Sequence, residues 1–122
     1  MEINSIQLTE DLVKKSDQKQ AQNIVVLDLE GISFLADYFI ILDVRNQRMM
    51  EALVKDLVEV SEKDGFELKR IEGKQASDWV LIDFGDVIVH IFTPEQREFY
   101  NLEHLWNEAK HIDVSQWLDC NV

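Results

Sequence analysis

One segment restricts the fold more than any other. Residues 79–92 read Trp-Val-Leu-Ile-Asp-Phe, then Gly85-Asp86, then Val-Ile-Val-His-Ile-Phe. Two β-prone runs joined by a Gly-led pair form a β-hairpin, and Gly at the first turn position suits a two-residue type II′ loop. That turn pairs Phe84 with Val87, Ile82 with Val89 and Val80 with Ile91. One face then carries only Val80, Ile82, Phe84, Val87, Val89 and Ile91, and must be core. The other face carries Trp79, Leu81, Asp83, Ile88, His90 and Phe92. Its carboxylate and imidazole predict a half-polar, accessible surface.

The remaining elements arrange themselves around this ribbon. Residues 4–20 read as a helix with a thin apolar stripe of Ile3, Ile6, Leu12 and Val13. Asn23–Leu29 and Tyr38–Leu42 are short, rich in β-branched or aromatic residues, and show little alternation. They read as strands buried on both faces. Met49/Met50, Leu53/Val54 and Leu57/Val58 recur at helical spacing. Asn46 supplies the N-cap of that second helix and Gly65 its C′ residue. Phe66–Ile71 alternates as a third strand. After Pro94, residues 95–110 read as a helix with Phe99, Leu102, Leu105, Trp106 and Ala109 on one side. Residues 112–122 form a tail or last short helix. The expected fold class is α/β (α+β), a mixed sheet of about five strands flanked by helices, in a single domain over 1–122.

Composition narrows the function. Twelve Lys and Arg face 24 Asp and Glu, a net charge of −12. Such a surface repels phosphate backbones and favours basic partners, so little direct nucleic-acid contact is expected. The one Cys, Cys120, excludes an intrachain disulfide and a Cys-rich zinc module. No apolar run approaches the ~20 residues that span a bilayer. The N-terminal sequence MEINSIQLTEDLVKK has neither a basic leader before an apolar stretch nor an Arg/Ser-rich transit pattern. The expected location is cytoplasmic and most simply bacterial.

Catalytic patterns are sparse. There is no G-x-x-x-x-G-K-[ST], no G-x-G-x-x-G and no H-E-x-x-H. His104 and His111 share a face only if the helix continues through both, and no metal site is expected. Asp28 and Glu30 lie two apart at a strand end, the arrangement with which nucleotidyltransferases hold Mg²⁺. The Gly-Ser turn that would present phosphate to that pair is absent. A divergent nucleotidyltransferase-fold enzyme using Asp28 and Glu30 with Mg²⁺ is therefore the alternative reading. The leading one has no catalytic residue and no cofactor. Trp79, on the mixed hairpin face beside carboxylates, has the composition of an interface hot spot. Tyr100 is a second candidate anchor. Asp83, Asp86, His90 and Glu103 complete the expected partner-binding set.

Three blocks carry a family resemblance. Asp78–Phe92 closely resembles a signature of the ribosomal silencing factor family, the Iojap-like proteins. Arg97-Glu98-Phe99-Tyr100-Asn101-Leu102-Glu103-His104-Leu105-Trp106 is similar to the family's R-x-x-Y-x-L-E-x-L-W, and Ala36-Asp37-Tyr38-Phe39-Ile40-Ile41 to its A-D-Y-F-V-I. Arg48 and Glu72-Gly73 also match. Between Leu42 and Met50 the chain departs from the family pattern: a Gly is missing, and Met49-Met50 stands where the family has Gln-Val. The resemblance, over roughly residues 4–110, implies a nucleotidyltransferase-like fold without the active site. It also implies a translation repressor, not an enzyme. Such a protein binds protein fourteen on the intersubunit face of the large ribosomal subunit and blocks joining of the small subunit under nutrient limitation. It further implies a homodimer when free.

Overall fold

The computed structural model describes residues 4–32, 34, 36–73, 79–94 and 110–118. Helix α1 (Ser5–Gln18) leads into β1 (Gln22–Asp28) and β2 (Tyr38–Asp43), followed by α2 (Gln47–Lys63). Strands β3 (Arg70–Glu72), β4 (Trp79–Asp83), β5 (Val87–Phe92) and β6 (Lys110–Ile112) follow, and α3 (Ser115–Leu118) is last. One six-stranded sheet has the order β3-β4-β5-β2-β1-β6. β2 and β5 run parallel, with Tyr38 opposite Val87 and Asp43 opposite Phe92, and the other pairs are antiparallel. The fold class is thus as expected, a mixed α+β sheet with helices, but with one more strand.

Both long helices begin on an Asn whose side chain accepts an orphan backbone N–H. Asn4 Oδ1 takes the Gln7 N–H at 3.0 Å, and Asn46 Oδ1 takes the Met49 N–H at 2.9 Å. The second cap survives the departure between Leu42 and Met50. α2 ends beside Gly65 at φ +84°, a conformation glycine adopts without strain. α1 buries Leu8, Leu12 and Val13 with Thr9 and Ser16, whose hydroxyls bond back to the carbonyls of Ser5 and Leu12 at 2.8 Å. Leu8 takes the place expected for Ile6, which is only half-buried.

The hairpin register is as expected. Val80 faces Ile91, Ile82 faces Val89, and the Phe84 N–H reaches the Val87 carbonyl at 3.0 Å across the Gly85-Asp86 turn. The apolar face joins Leu8, Leu12, Leu53 and Leu57 of the two helices in the main core. The opposite face differs from its expectation. Ile88, His90 and Phe92 are buried, and Leu27, Leu29, Ala36, Phe39, Ile41, Ile88 and Phe92 form a second apolar layer. Every residue of β2 is buried, because it has a neighbour on each edge and an apolar layer on each face.

Four expectations change. β1 is buried only in its second half: a register irregularity between Gln22 and Val25, with Asn23 at φ +54°, leaves the first half accessible. The third strand contracts to Arg70–Glu72, and Phe66 and Leu68 pack on the core from the connection before it. Lys110, placed at the end of a helix, opens β6, which pairs with β1. His111 therefore sits in a strand opposite Leu27, and His104 lies outside the described residues. The rest of the expected helix over 95–110, apart from Pro94 just before it, lies outside the described residues. The tail keeps one helical turn, α3, with Trp117 and Leu118 against the main core.

Candidate functional site

The outer face of the β4–β5 ribbon is built around His90. The strand register places Trp79 opposite Phe92 and Leu81 opposite His90. Trp79 is half-buried and lies over this row. Its ring stacks on Phe92 at 5.4 Å between centroids and on His90 at 5.9 Å, while Phe39 meets His90 edge-on at 4.8 Å. The Trp79 Nε1–H donates to His90 Nδ1 at 3.3 Å. An acceptor nitrogen at that point requires the neutral imidazole. Burial drives the same result, pushing the His90 pKa down to about 4. His90 Nε2 is buried without a hydrogen-bond partner.

His90 was expected on an accessible contact surface. It is only 5% exposed. It lies beneath the indole and fixes its orientation, so it supports the surface rather than forming it. Asp83 is half-buried and already engaged: Oδ1 accepts the Gly85 N–H at 2.8 Å, and Oδ2 lies 3.5 Å from Arg70 Nε. Its carboxylate holds the turn and answers a cation of the same chain. Asp86 has an exposed side chain, while its carbonyl accepts the N–H groups of Asp37 at 2.7 Å and Tyr38 at 3.2 Å. Tyr100 and Glu103 lie outside the described residues. Trp79 and Asp86 thus sit at opposite ends of one ribbon.

Two supporting residues were not singled out as such. Arg70 is placed by β3, whose register sets it opposite Asp83. Gly73, at φ +81°, lies so close to Trp79 that a Cβ there would stand 2.2 Å from the Trp79 carbonyl oxygen. Its signal in the sequence was the Glu72-Gly73 pair upstream of the tryptophan.

The Asp28–Glu30 pair has local employment. Asp28 Oδ1 accepts the Glu30 N–H at 3.0 Å, and Glu30 accepts the Tyr38 hydroxyl at 3.2 Å. Burial first, then the charges of Glu30 and Asp28, push the Tyr38 phenol up to about 12. Among the described residues no group of three His, Cys, Asp or Glu is arranged to hold a metal ion. None of their helices is long and apolar enough to cross a membrane.

Fold and surface together define a small α+β domain whose distinctive side chains are organised for display and support on one β-ribbon. The comparisons with known proteins are specific. The family model described as "Ribosomal silencing factor during starvation" matches residues 2–121. A ribosomal silencing factor of Halalkalibacterium halodurans is 40% identical over 102 residues, covering 84% of this chain and 87% of that protein. Its counterpart in Bacillus subtilis is 40% identical over 98 residues, covering 80% and 83%. A crystal structure from Chromobacterium violaceum aligns with a TM-score of 0.82 at 25% identity, over 86% of this chain and 88% of that one. The chain belongs to the ribosomal silencing factor family. Its role is that family's regulatory one.

Proposed function

We propose that the protein is a bacterial, cytoplasmic translation repressor. It binds protein fourteen on the intersubunit face of the large ribosomal subunit and excludes the small subunit by bulk. The observation that carries this reading is the family match over residues 2–121, nearly the full chain. The surface chemistry supports it. A net charge of −12 suits association with basic ribosomal proteins and raises the encounter rate. Trp79, held flat over His90 and Phe92, offers a rigid aromatic anchor. Steric exclusion needs occupancy and no catalytic residue. An affinity of ~10 nM corresponds to about −11 kcal/mol, and an interface of about 800 Å² on each partner suffices for it. Away from the ribosome the chain pairs with a second copy of itself.

The test is subunit joining followed by sucrose-gradient sedimentation. Added protein should travel with the large subunit and reduce the joined particle in proportion to its concentration. Normal joining with the protein left at the top of the gradient would overturn the proposal.

A further inference from the structure

Among the described residues, the two exposed large apolar side chains sit together in the β1–β2 connection: Ile32 is 46% exposed and Phe34 fully so. The connection is braced at its base. The Leu29 N–H reaches the Asp37 carbonyl at 2.8 Å, and the Ile32 N–H reaches the Leu29 carbonyl at 2.9 Å around Gly31 at φ +81°. Leu29 and Ala36 anchor it in the second apolar layer. Two hydrogen bonds to the Asp86 carbonyl, from Asp37 and Tyr38, tie it to the hairpin turn. The base of the connection that carries Phe34 is therefore tied to the turn end of the ribbon, and Trp79 opens β4 at the other end.

Its surroundings are acidic. Asp28, Glu30 and Asp37 lie on the connection or its base, and Asp86 lies on the adjoining turn. Burial first, then the charges of Glu30, Asp28 and Asp37, raise the pKa of the Tyr38 phenol at the start of β2. Lys69 lies over Gly85 and Lys110 lies across from Asp28, so cations are present but outnumbered.

We infer that Ile32 and Phe34, on a connection that also carries the acids Glu30 and Asp37 and is tied to Asp86, form a second docking contact that inserts into an apolar socket on a basic protein surface. The acidic character of this end decides among occupants. A second copy meeting this end about a two-fold axis would set the same acids against themselves. A phosphate backbone would be repelled. A basic protein gains from both parts. The inference rests on the ribosomal reading above and adds to it a contact at the other end of the ribbon.

The test uses the full chain and isolated large subunits. Phe34→Ala should weaken binding roughly 30-fold, the size of a hot-spot loss, with melting temperature and oligomeric state unchanged. Asp86→Asn should weaken binding in low salt and matter less in high salt. Ile32→Ser supplies an independent apolar variant. Wild-type protein that fails to bind large subunits sinks both this inference and the ribosomal reading. Wild-type binding with unchanged affinity in Phe34→Ala and Ile32→Ser sinks the inference alone. A shift of either variant from dimer to monomer overturns it in favour of a self-contact.

Discussion

The buried imidazole of His90 makes the pH dependence of stability a direct probe of the site. Its folded-state pKa is lowered from 6.5 to about 4 by burial. The unfolded chain therefore binds a proton that the folded chain refuses. Stability from this group is complete above pH 6.5 and is lost as pH falls toward 4, below which the loss levels off. The free-energy equivalent is about 3 kcal/mol. In a domain of this size that is roughly 12 °C in melting temperature. Other groups titrate in the same window. Asp64 opposes the trend, because burial, then the hydrogen bond and charge of Asp11, push its carboxyl up to about 6. The folded state binds that proton more readily, so Asp64 adds stability as pH falls through 6. The contrast is therefore the difference between wild type and His90→Phe, whose ring fits the stack with Phe39 and Phe92 but carries no titrating nitrogen. Chemical denaturation from pH 7.5 to 4 should show the difference shrinking, wild type losing about 3 kcal/mol more than the variant. A difference that stays flat, or an imidazole resonance that titrates near 6.5, would refute the burial argument.

Four further outcomes follow from the same geometry. Ile82→Ala, which empties a fully buried position under both helices, should cost about 3 kcal/mol in denaturant unfolding. Trp79→Phe keeps the stack on Phe92 but removes the donor to His90 Nδ1; it should cost about 1 kcal/mol of stability, chiefly from the unsatisfied nitrogen. Gly73→Ala puts a Cβ against the Trp79 carbonyl at positive φ; the left-handed penalty alone is about 1–2 kcal/mol, and a shifted Trp79 emission maximum should accompany the lower melting temperature. Asn46→Ala deletes the acceptor for the Met49 N–H and should lower stability by about 1 kcal/mol in thermal unfolding.

Legibility in the sequence follows how local each interaction is. The hairpin was readable because a period-two pattern and a Gly-led turn fix the same register independently, and the observed pairs are those expected. α2 was readable for a similar reason: a wide apolar stripe, an Asn cap and a terminal Gly agree on its ends. β6 was not readable. Lys110, His111 and Ile112 carry no periodic signal, and they become a strand only because the β1 edge is open to pair with them. Phe66 and Leu68 misled in the opposite direction, since alternation reports which side chains pack inward and not whether the backbone finds a ladder partner. At the site, Trp79 and Asp86 were correctly identified as accessible to some degree. His90 was misread because polarity was equated with exposure, while Asp83 is half-buried like Trp79. A neutral imidazole that accepts from an indole is apolar enough for an interior, and a carboxylate that caps a turn and meets Arg70 is largely committed to its own chain.

That commitment bears on how the surface works. Two acids are spent on structure: Asp83 on the turn and Arg70, and Asp28 of β1 on the Glu30 N–H. Asp86, on the turn, and Glu30, on the β1–β2 connection that also carries Phe34, are exposed. Under the proposed function, an aromatic anchor at one end and an apolar tip at the other would divide the work of recognition. In that reading the long-range field of the acids would bring a basic surface in, and the apolar contacts would set its dissociation rate. Because both ends belong to one hydrogen-bonded ribbon, a partner that engages them together fixes the orientation of the whole domain. On the steric mechanism proposed above, orientation decides whether the domain's bulk would lie in the path of the incoming subunit. Substitutions at the tip should therefore relieve repression even where residual binding persists, a separation that binding and joining assays on the same variant can measure.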